Sequence, residues 1–310
     1  MGNRGAYIVR RVLMLIPTLL VIYTLTFVLI HATPGGPWSQ GDKPVPPLVL
    51  KRLNAAYGLD KPLWRQYTDY LWNVLHGDFG PSFTSRSRTV TDIIKDTFPI
   101  SLQLGIVAMM LAVFAGITLG VIAAINHNRT ADYVCGFISI AGISTPSYVV
   151  VSLLVLLLSS QLHLVPTGGW NGITDTRVII PAVALALYPA AVLARYTRSS
   201  MLDVLSADYV RTARAKGLNE TVVITRHAIR NALLPVVTVG AIILADVVTG
   251  SFYVETIYQV PGIGRYFVES ITSRDYPVIL GTVLLFGALV SVMNLIVDIL
   301  YPLLDPRMSN

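Results

Sequence analysis

The 310-residue chain is poor in charge: Asp, Glu, Lys and Arg together make up 13% of it, against about 25% in an ordinary soluble domain. So little polar material cannot cover a water-facing surface. A disordered chain and a nucleic-acid-binding domain are excluded by the same shortage. There is one cysteine, Cys135, inside an apolar run. No disulfide framework or cysteine-based metal cluster is possible, and the thiol reads as a small buried hydrophobe. No Gly-Lys dipeptide occurs, which rules out a phosphate-binding loop of the G-x-x-x-x-G-K-[ST] type. The five histidines (His31, His76, His127, His163, His227) form no H-E-x-x-H pair, and no G-x-S-x-G elbow is present. An intramembrane enzyme is therefore disfavoured. Work against a gradient must draw on another chain or on an ion.

What the sequence has in abundance is apolar length. Hydrophobic residues are 54% of the chain and the mean hydropathy is +0.64. A spanning helix needs about 20 mostly apolar residues, because each adds about 1.5 Å across a hydrocarbon core about 30 Å thick. Stretches 12–41, 97–128, 133–174, 178–194 and 276–297 contain no Lys, Arg, Asp or Glu, and 231–255 is apolar through its interior apart from Asp246. The expectation is an all-α polytopic membrane protein. Its six transmembrane helices should lie near 11–31, 99–125, 133–159, 178–194, 233–254 and 278–301. The first run is longer than a signal-peptide h-region and no A-x-A site follows it, so it reads as a retained helix.

Lysine and arginine in short loops set orientation. With the N-terminus inside, the inner segments hold 12 of the 23 basic residues and the short outer loops hold only Arg177, Arg265 and Arg274. Both termini are then cytoplasmic, and the net charge of +6 reflects topology, with no call for a nucleic-acid partner. The organisation reads as an N-terminal tail and helix (1–31), an extracytoplasmic cap (32–98) and a permease domain (99–310). In the cap, Pro62 suits a first helical turn, and Leu63, Tyr67, Tyr70, Leu71 and Val74 share one face, with Gly77 as the stop. Residues 47–57, ended by Gly58, form a shorter helix. Trp64 and Trp72 suit interfacial anchors.

The loop 195–232 carries the strongest signal. Ser206 reads as an N-cap with Asp208 in the first turn, and Arg211, Arg214 and Lys216 fall in the last turns before a left-handed stop at Gly217. Asn219 then caps a second helix, with Glu220 in its first turn. Charge alone would make this a solvated basic edge. In the spans, Asp246 near the centre of the fifth is costly, and reads equally as a residue of a translocation path or of packing. Asn294 suits interhelical hydrogen bonding and Asp298 an interfacial pair with Arg10 or Arg11. Pro146 should kink the third span, as suits a gated path, and Asp246, Asn294 and Pro146 together are the candidate residues of a translocation path. Gly116 and Gly120 form a G-x-x-x-G pair that ordinary bundle packing explains.

The run Tyr209-Val-Arg-Thr-Ala-Arg-Ala-Lys-Gly-Leu218 resembles the EAA loop of binding-protein-dependent ABC importers, in the form of the B-type permease of the dipeptide, oligopeptide, nickel and glutathione group. Tyr57-Gly-Leu-Asp-Lys-Pro-Leu63, Gly77-Asp-Phe-Gly80, Gly250-Ser-Phe-Tyr-Val-Glu255, Pro261-Gly-Ile-Gly264, Arg274-Asp-Tyr-Pro277, Asp298-Ile-Leu-Tyr301 and Asp305-Pro-Arg307 agree in order along the chain. The triplet Arg211-Thr212-Ala213 stands where the loop usually begins Glu-Ala-Ala, and Arg230 where a proline is usual. The resemblance implies a core of five helices of the MetI-like kind plus an N-terminal helix, in a bacterial inner membrane. It implies an ATPase-coupling loop of Arg211, Thr212, Ala213, Arg214, Ala215, Lys216 and Gly217. The implied partners are a second homologous permease subunit, two cytoplasmic ABC ATPase subunits that bind ATP and Mg, an extracytoplasmic solute-binding protein and the lipid membrane. No cofactor is implied for this chain itself. Short peptides are the implied cargo, with nickel, glutathione or oligosaccharide as alternatives inside the family. An ion-coupled secondary transporter is the rival class, although no internal repeat supports it.

Overall fold

The computed structural model describes residues 4–38, 45–85, 87–248 and 251–304, with side chains described only between 10 and 296. The expected pairing of Asp298, the tail motif through Arg307, and Gly250 lie outside that set. Among the described residues the chain is helical, with one isolated bridge between Pro81 and Thr89. Five helices are long and apolar enough to cross a membrane: Arg10–Ala32, Val90–Ile125, Thr176–Leu205, Glu220–Val248 and Tyr276–Ile296. A bent pair, Thr130–Ser144 with Ser147–Gln161, makes a sixth if it counts as one span. The all-α polytopic reading therefore holds. Only helices fit such a chain, because lipid offers the backbone no hydrogen bonds.

Two compact units are present, Met1–Ile100 with Pro261–Ser291 and Ser101–Val260 with Val292–Asn310. In the first, α1 (Arg4–Ala32) buries Tyr23, Phe27 and Ile30 against α13 (Tyr276–Leu304), which contributes Tyr276, Ile279, Leu280 and Leu284. The face predicted for α3 (Leu63–Leu75) packs on the same cluster through Tyr67, Tyr70, Leu71 and Val74. Leu63 departs from it and is exposed, and Trp64 and Trp72 also point outward. Tyr23 donates to the Tyr67 carbonyl at 2.7 Å, and burial pushes the Tyr70 phenol well above its ordinary range. Pro62 stands just before the first turn of α3 instead of within it, and α2 (Pro47–Ala56) precedes a left-handed Gly58. Buried Asp275 accepts from Ser82 Oγ at 2.5 Å and from the Thr84 amide at 3.0 Å, fastening the 82–84 loop to the start of α13.

Helix α4 (Val90–Ile125) begins well ahead of the expected 99. Thr89 and Asp92 satisfy each other's backbone amides, a capping box that starts the helix in polar sequence. In the second unit α4 meets α7 (Ile179–Leu205) at the two predicted glycines. A Cβ on Gly116 would stand 2.7 Å from the Ala190 carbonyl, and one on Gly120 2.5 Å from Thr197 Cβ. The same cluster gathers Ala108, Met109 and Ala112 of α4, Ala186, Ala190 and Leu193 of α7, and Val236 and Ile243 of α10 (Arg230–Val248).

Three boundaries differ from the sequence reading. The fourth span does not stop at 194: α7 runs to Leu205, because Arg195 and Arg198 end the apolar run without ending the helix. The fifth begins at α9 (Glu220–Val222) and continues through a π-helical turn, Val223–Ile229, into α10, and it stops short of the expected 254, because Ser251 is extended and caps a separate short helix, Phe252–Ile257. The third is not kinked but broken. α5 (Thr130–Ser144) and α6 (Ser147–Leu154, extended by a π-helical segment Val155–Gln161) meet at 105° with Pro146 as the cap of the second. Proline has no amide to donate and disfavours the helical region for Thr145 before it.

Gly120→Ala is expected to lower the melting temperature of the detergent-purified chain, at a cost of about 1–3 kcal/mol from overpacking. Gly136→Ala, whose new methyl meets nothing within 4 Å, should be neutral or stabilising. Equal melting temperatures for the two variants would contradict the close approach of α4 to α7.

Candidate coupling loop and translocation cavity

The loop that follows α7 is a helix, a bend and a helix. α8 (Asp208–Ala215) buries Val210 and Ala213, spaced three apart, on Val223 of the π-helical turn and on Val204. Everything else in the predicted coupling set is exposed: Arg211, Thr212, Arg214, Ala215, Lys216 and Gly217. Ala213 is thus the buried member of the seven. Gly217 adopts φ +78°, and a Cβ there would meet nothing of this chain within 4 Å. The glycine is required by the backbone turn, not by crowding from its own fold. Asn219 accepts from the Thr221 amide at 2.9 Å, so the second helix is capped as predicted.

Ser206 is not the cap of α8. It continues α7, its amide bonding to the Leu202 carbonyl, and its hydroxyl donates to the Asp203 carbonyl at 2.8 Å. Ala207 takes the cap position in extended conformation. The structure adds a contact across the bend that sequence reasoning missed. Arg214 donates twice to Glu220, Nε to Oε2 at 3.1 Å and Nη2 to Oε1 at 2.7 Å, which holds the guanidinium more firmly charged. Arg211 pairs only loosely with Asp208, at 3.7 Å with both side chains largely exposed. Asn231 donates to the Tyr209 hydroxyl at 3.1 Å, tying α8 to the start of α10.

A second polar cluster sits behind the loop. Asp132, 5% exposed in its side chain, accepts from Arg198 Nε at 2.6 Å and Nη2 at 2.8 Å. It also accepts from the Asn128 amide at 3.0 Å, and Asn128 is held at φ +60°. His127 Nδ1 lies 3.3 Å from both the carboxylate and the guanidinium. The pair joins the first turn of α5 to the part of α7 that leads into α8. The signal was present in the sequence as an acid in a basic turn, but Asp132 fell just outside the expected third span.

Of the proposed path residues, two come together. Asp246 and Pro146 line one cavity of about 360 Å³, with Thr145, Ser147, Tyr188 and Tyr253. Asp246 lies toward the C-terminal side of α10 and not at the span centre, because the chain is already extended at Ser251. Asn294 is exposed and is not among the residues lining this cavity.

Residues 116–310 match the family described as "Binding-protein-dependent transport system inner membrane component", and residues 5–105 match the N-terminal domain of membrane components of the same systems. The chain belongs to this family. It is 44% identical over 303 residues to the dipeptide transport system permease protein DppB of Bacillus subtilis, covering 98% of this chain and 97% of that one. It is 43% identical over 301 residues to the oligopeptide transport system permease protein OppB of Escherichia coli, covering 97% and 98%. Among solved structures it resembles an inward-facing methionine ABC transporter MetNI with a TM-score of 0.58 at 15% identity, over 68% of this chain and 96% of that one. An amino acid ABC transporter crystallised with histidines gives 0.51 at 18%, over 70% and 95%. At such identities the likeness is one of fold. A family member with these helices is a multi-pass membrane protein that works within a membrane-embedded complex.

Arg198→Ala leaves Asp132 buried without its guanidinium, and the expected loss is about 3 kcal/mol, at the low end for a broken buried pair because Arg198 is one-third exposed. Thermal melting of the purified chain checks this. Pairing Arg198→Ala with Asp132→Asn should recover part of the loss, whereas additive losses would contradict the pairing.

Proposed function

We propose that this chain is the transmembrane permease subunit of an ATP-binding-cassette importer for short peptides. The observation that carries the reading is full-length identity above 40% to both a dipeptide and an oligopeptide permease, coupled with the exposed helix–glycine–helix bend at 208–222. The chain pairs with a second homologous permease around a shared path. Two cytoplasmic ATPase subunits bind ATP and Mg and drive the cycle, so this chain carries no ATPase site of its own. A solute-binding protein delivers the peptide to the extracytoplasmic side, where residues 32–98 form the cap. Both termini and the 195–232 loop are cytoplasmic, as the distribution of lysine and arginine favours.

Exposed Arg211, Thr212, Ala215, Lys216 and Gly217 form the face that seats in the ATPase, with buried Ala213 setting the helix on its support. Arg214 serves the loop internally, stapling α8 to α9 across Gly217 through Glu220. Arg211 and Lys216 remain on the outer face for acidic groups of the motor. Closure of the ATPases on ATP pulls this bend, and α8 transmits the pull to α7 and α10, to which it is joined by Ser206–Ala207 and by the contacts of Val223 and Asn231. The inner path includes Asp246 and Pro146, with Asn294 as a helix-packing residue at its margin.

Gly217→Val forces a β-branched residue into a left-handed turn, a strain of at least about 1 kcal/mol at the bend. The variant should reach the membrane in normal amount while the assembled complex hydrolyses ATP without peptide uptake. Uptake at the wild-type rate in proteoliposomes would overturn the assignment. Arg211→Glu should weaken association with the ATPases, more so at low salt than at high, because exposed charges are screened. Pull-down of the ATPases across a salt series reads this out. Uptake driven by an ion gradient without ATP would favour the rival transporter class.

A further inference from the structure

Helix α3 has three sides instead of two. At about 100° per residue, Tyr67, Tyr70, Leu71 and Val74 share one side, which packs on α1 and α13. Arg65, Gln66, Asp69 and Asn73 share a second, polar side. Asp69 accepts from Lys61 at 2.7 Å, and Gln66 donates to the Leu59 and Lys61 carbonyls at 3.2 and 2.7 Å, which ties this side to the turn that follows α2. The third side is Trp64, Thr68, Trp72 and Leu75. The described residues leave it largely bare: the two tryptophans are each 64% exposed and Leu75 is 72% exposed.

Apolar residues scattered over a wet surface need no explanation, but two indoles and a leucine in one stripe do. The stripe is also built for a medium that offers no hydrogen bonds. Its one hydroxyl, on Thr68, donates to the Trp64 and Arg65 carbonyls of its own helix at 3.1 and 3.2 Å. The Arg65 guanidinium lies 5.2 Å from the centre of the Trp64 ring, at the border between the polar and the apolar side.

Depth identifies what covers the stripe. The first spanning helix ends at Ala32. Tyr23 donates to the Tyr67 carbonyl at 2.7 Å, the Thr24 and Tyr67 hydroxyls are 2.9 Å apart, and the Phe27 ring meets the Tyr67 ring edge-on at 5.3 Å. Phe27 and Tyr23 precede Ala32 by 5 and 9 residues, which places these contacts about 7–14 Å inside the end of the span. Helical side chains lean toward the N-terminus, so the contacts are carried deeper and not back toward the surface. A helix lying in a leaflet buries its apolar side about 5–10 Å into the boundary of headgroups and chains. The same length of α1 leaves Leu25, Val28 and Leu29 exposed, and in a spanning helix such residues face lipid.

We infer that α3 is immersed in one leaflet of the bilayer, with Trp64, Trp72 and Leu75 among the lipid chains and Arg65, Asp69 and Asn73 turned toward water. The occupant of the bare side is phospholipid. The segment between the first two spans is thus partly a membrane-embedded element and does not stand wholly in water. This inference is independent of the importer reading and of its cargo; the proposed orientation decides only that the leaflet is the outer one.

The test places nitroxide labels on single added cysteines in the full chain, reconstituted with its complex in phospholipid nanodiscs. Trp72→Cys and Leu75→Cys report the bare side, and Arg65→Cys and Asn73→Cys the polar side. Cys135 is buried, and the unsubstituted chain measures its background labelling. Electron paramagnetic resonance compares collisions with oxygen, which dissolves in lipid, and with a nickel chelate, which stays in water. The oxygen-to-chelate ratio should be about tenfold higher on the bare side, because a polar reagent is excluded from hydrocarbon. Equal ratios on the two sides overturn the inference. Labels at 72 and 75 that are shielded from both reagents would reveal a protein partner on this side and overturn it as well. Native tryptophan emission gives a second measurement that needs no label. Phospholipids brominated in their acyl chains should quench the wild-type chain more strongly than the Trp64→Tyr/Trp72→Tyr variant, which retains Trp38 and Trp170. Equal fractional quenching overturns the immersion of α3 even where a cysteine variant fails to assemble.

Discussion

Helices in lipid gain nothing from hiding hydrocarbon from hydrocarbon, so they hold together by how closely their backbones approach. In the second unit that constraint is met on α7. Its buried face is largely alanine, from Ala182 to Ala194, and the neighbouring helices bring glycines to it: Gly116 and Gly120 from α4, Gly142 from α5. Gly105 of α4 makes the equivalent approach to the backbone of α10 at Val247. Each of these contacts brings main chain to within a Cβ's width of its neighbour. Dispersion contacts multiply at such distances, and they substitute for the hydrophobic effect that water would supply.

The functional parts are arranged along this same post. α7 continues past its apolar run to Leu205, and only Ser206 and Ala207 separate it from α8. Where the helix leaves small-residue packing, the Asp132–Arg198 pair takes over as the lateral tie. Nearer the bend, the ties are the Val210, Ala213 and Val223 cluster and the Arg214–Glu220 staple. On the proposed reading, a pull on the exposed face of α8 is carried through these ties to the spanning helices. At the other end of α10, Asp246 and the α5–α6 break share one cavity. The two π-helical turns, Val155–Gln161 and Val223–Ile229, fall in the segments leading from that break and from the bend. Such turns are rare and recur at functional sites.

Much of this was legible beforehand. The apolar stretches located every long helix, since the bilayer fixes both their length and their composition. Gly217 and Asn219 announced the bend and the cap that follows it, because a left-handed turn and a free first-turn amide call for those residue types. The Gly116–Gly120 pair marked a close helix contact, and the structure supplied α7 as the helix that fills it. Helix ends were less legible. Arg195, Arg226 and Arg230 stop an apolar run, yet they are good helix formers, so α7 and the α9–α10 helix extend through them. Ser206 looked like a cap and is a continuation of α7, because its hydroxyl found the Asp203 carbonyl behind it.

By itself the sequence determined the membrane solvent, the rough position of the apolar helices, the glycine bend and the family, all of which depend on neighbours along the chain. Only tertiary structure decided that Arg214 is spent on Glu220, that Asp132 finds Arg198, that Pro146 breaks its helix by 105°, and that Asp246 lines a cavity beside that break. Those outcomes depend on which side chains meet across 6 to 100 residues of chain, from the Arg214–Glu220 staple to the 100 positions between Pro146 and Asp246. Pattern and propensity describe local preference, whereas packing chooses among the partners that preference leaves open.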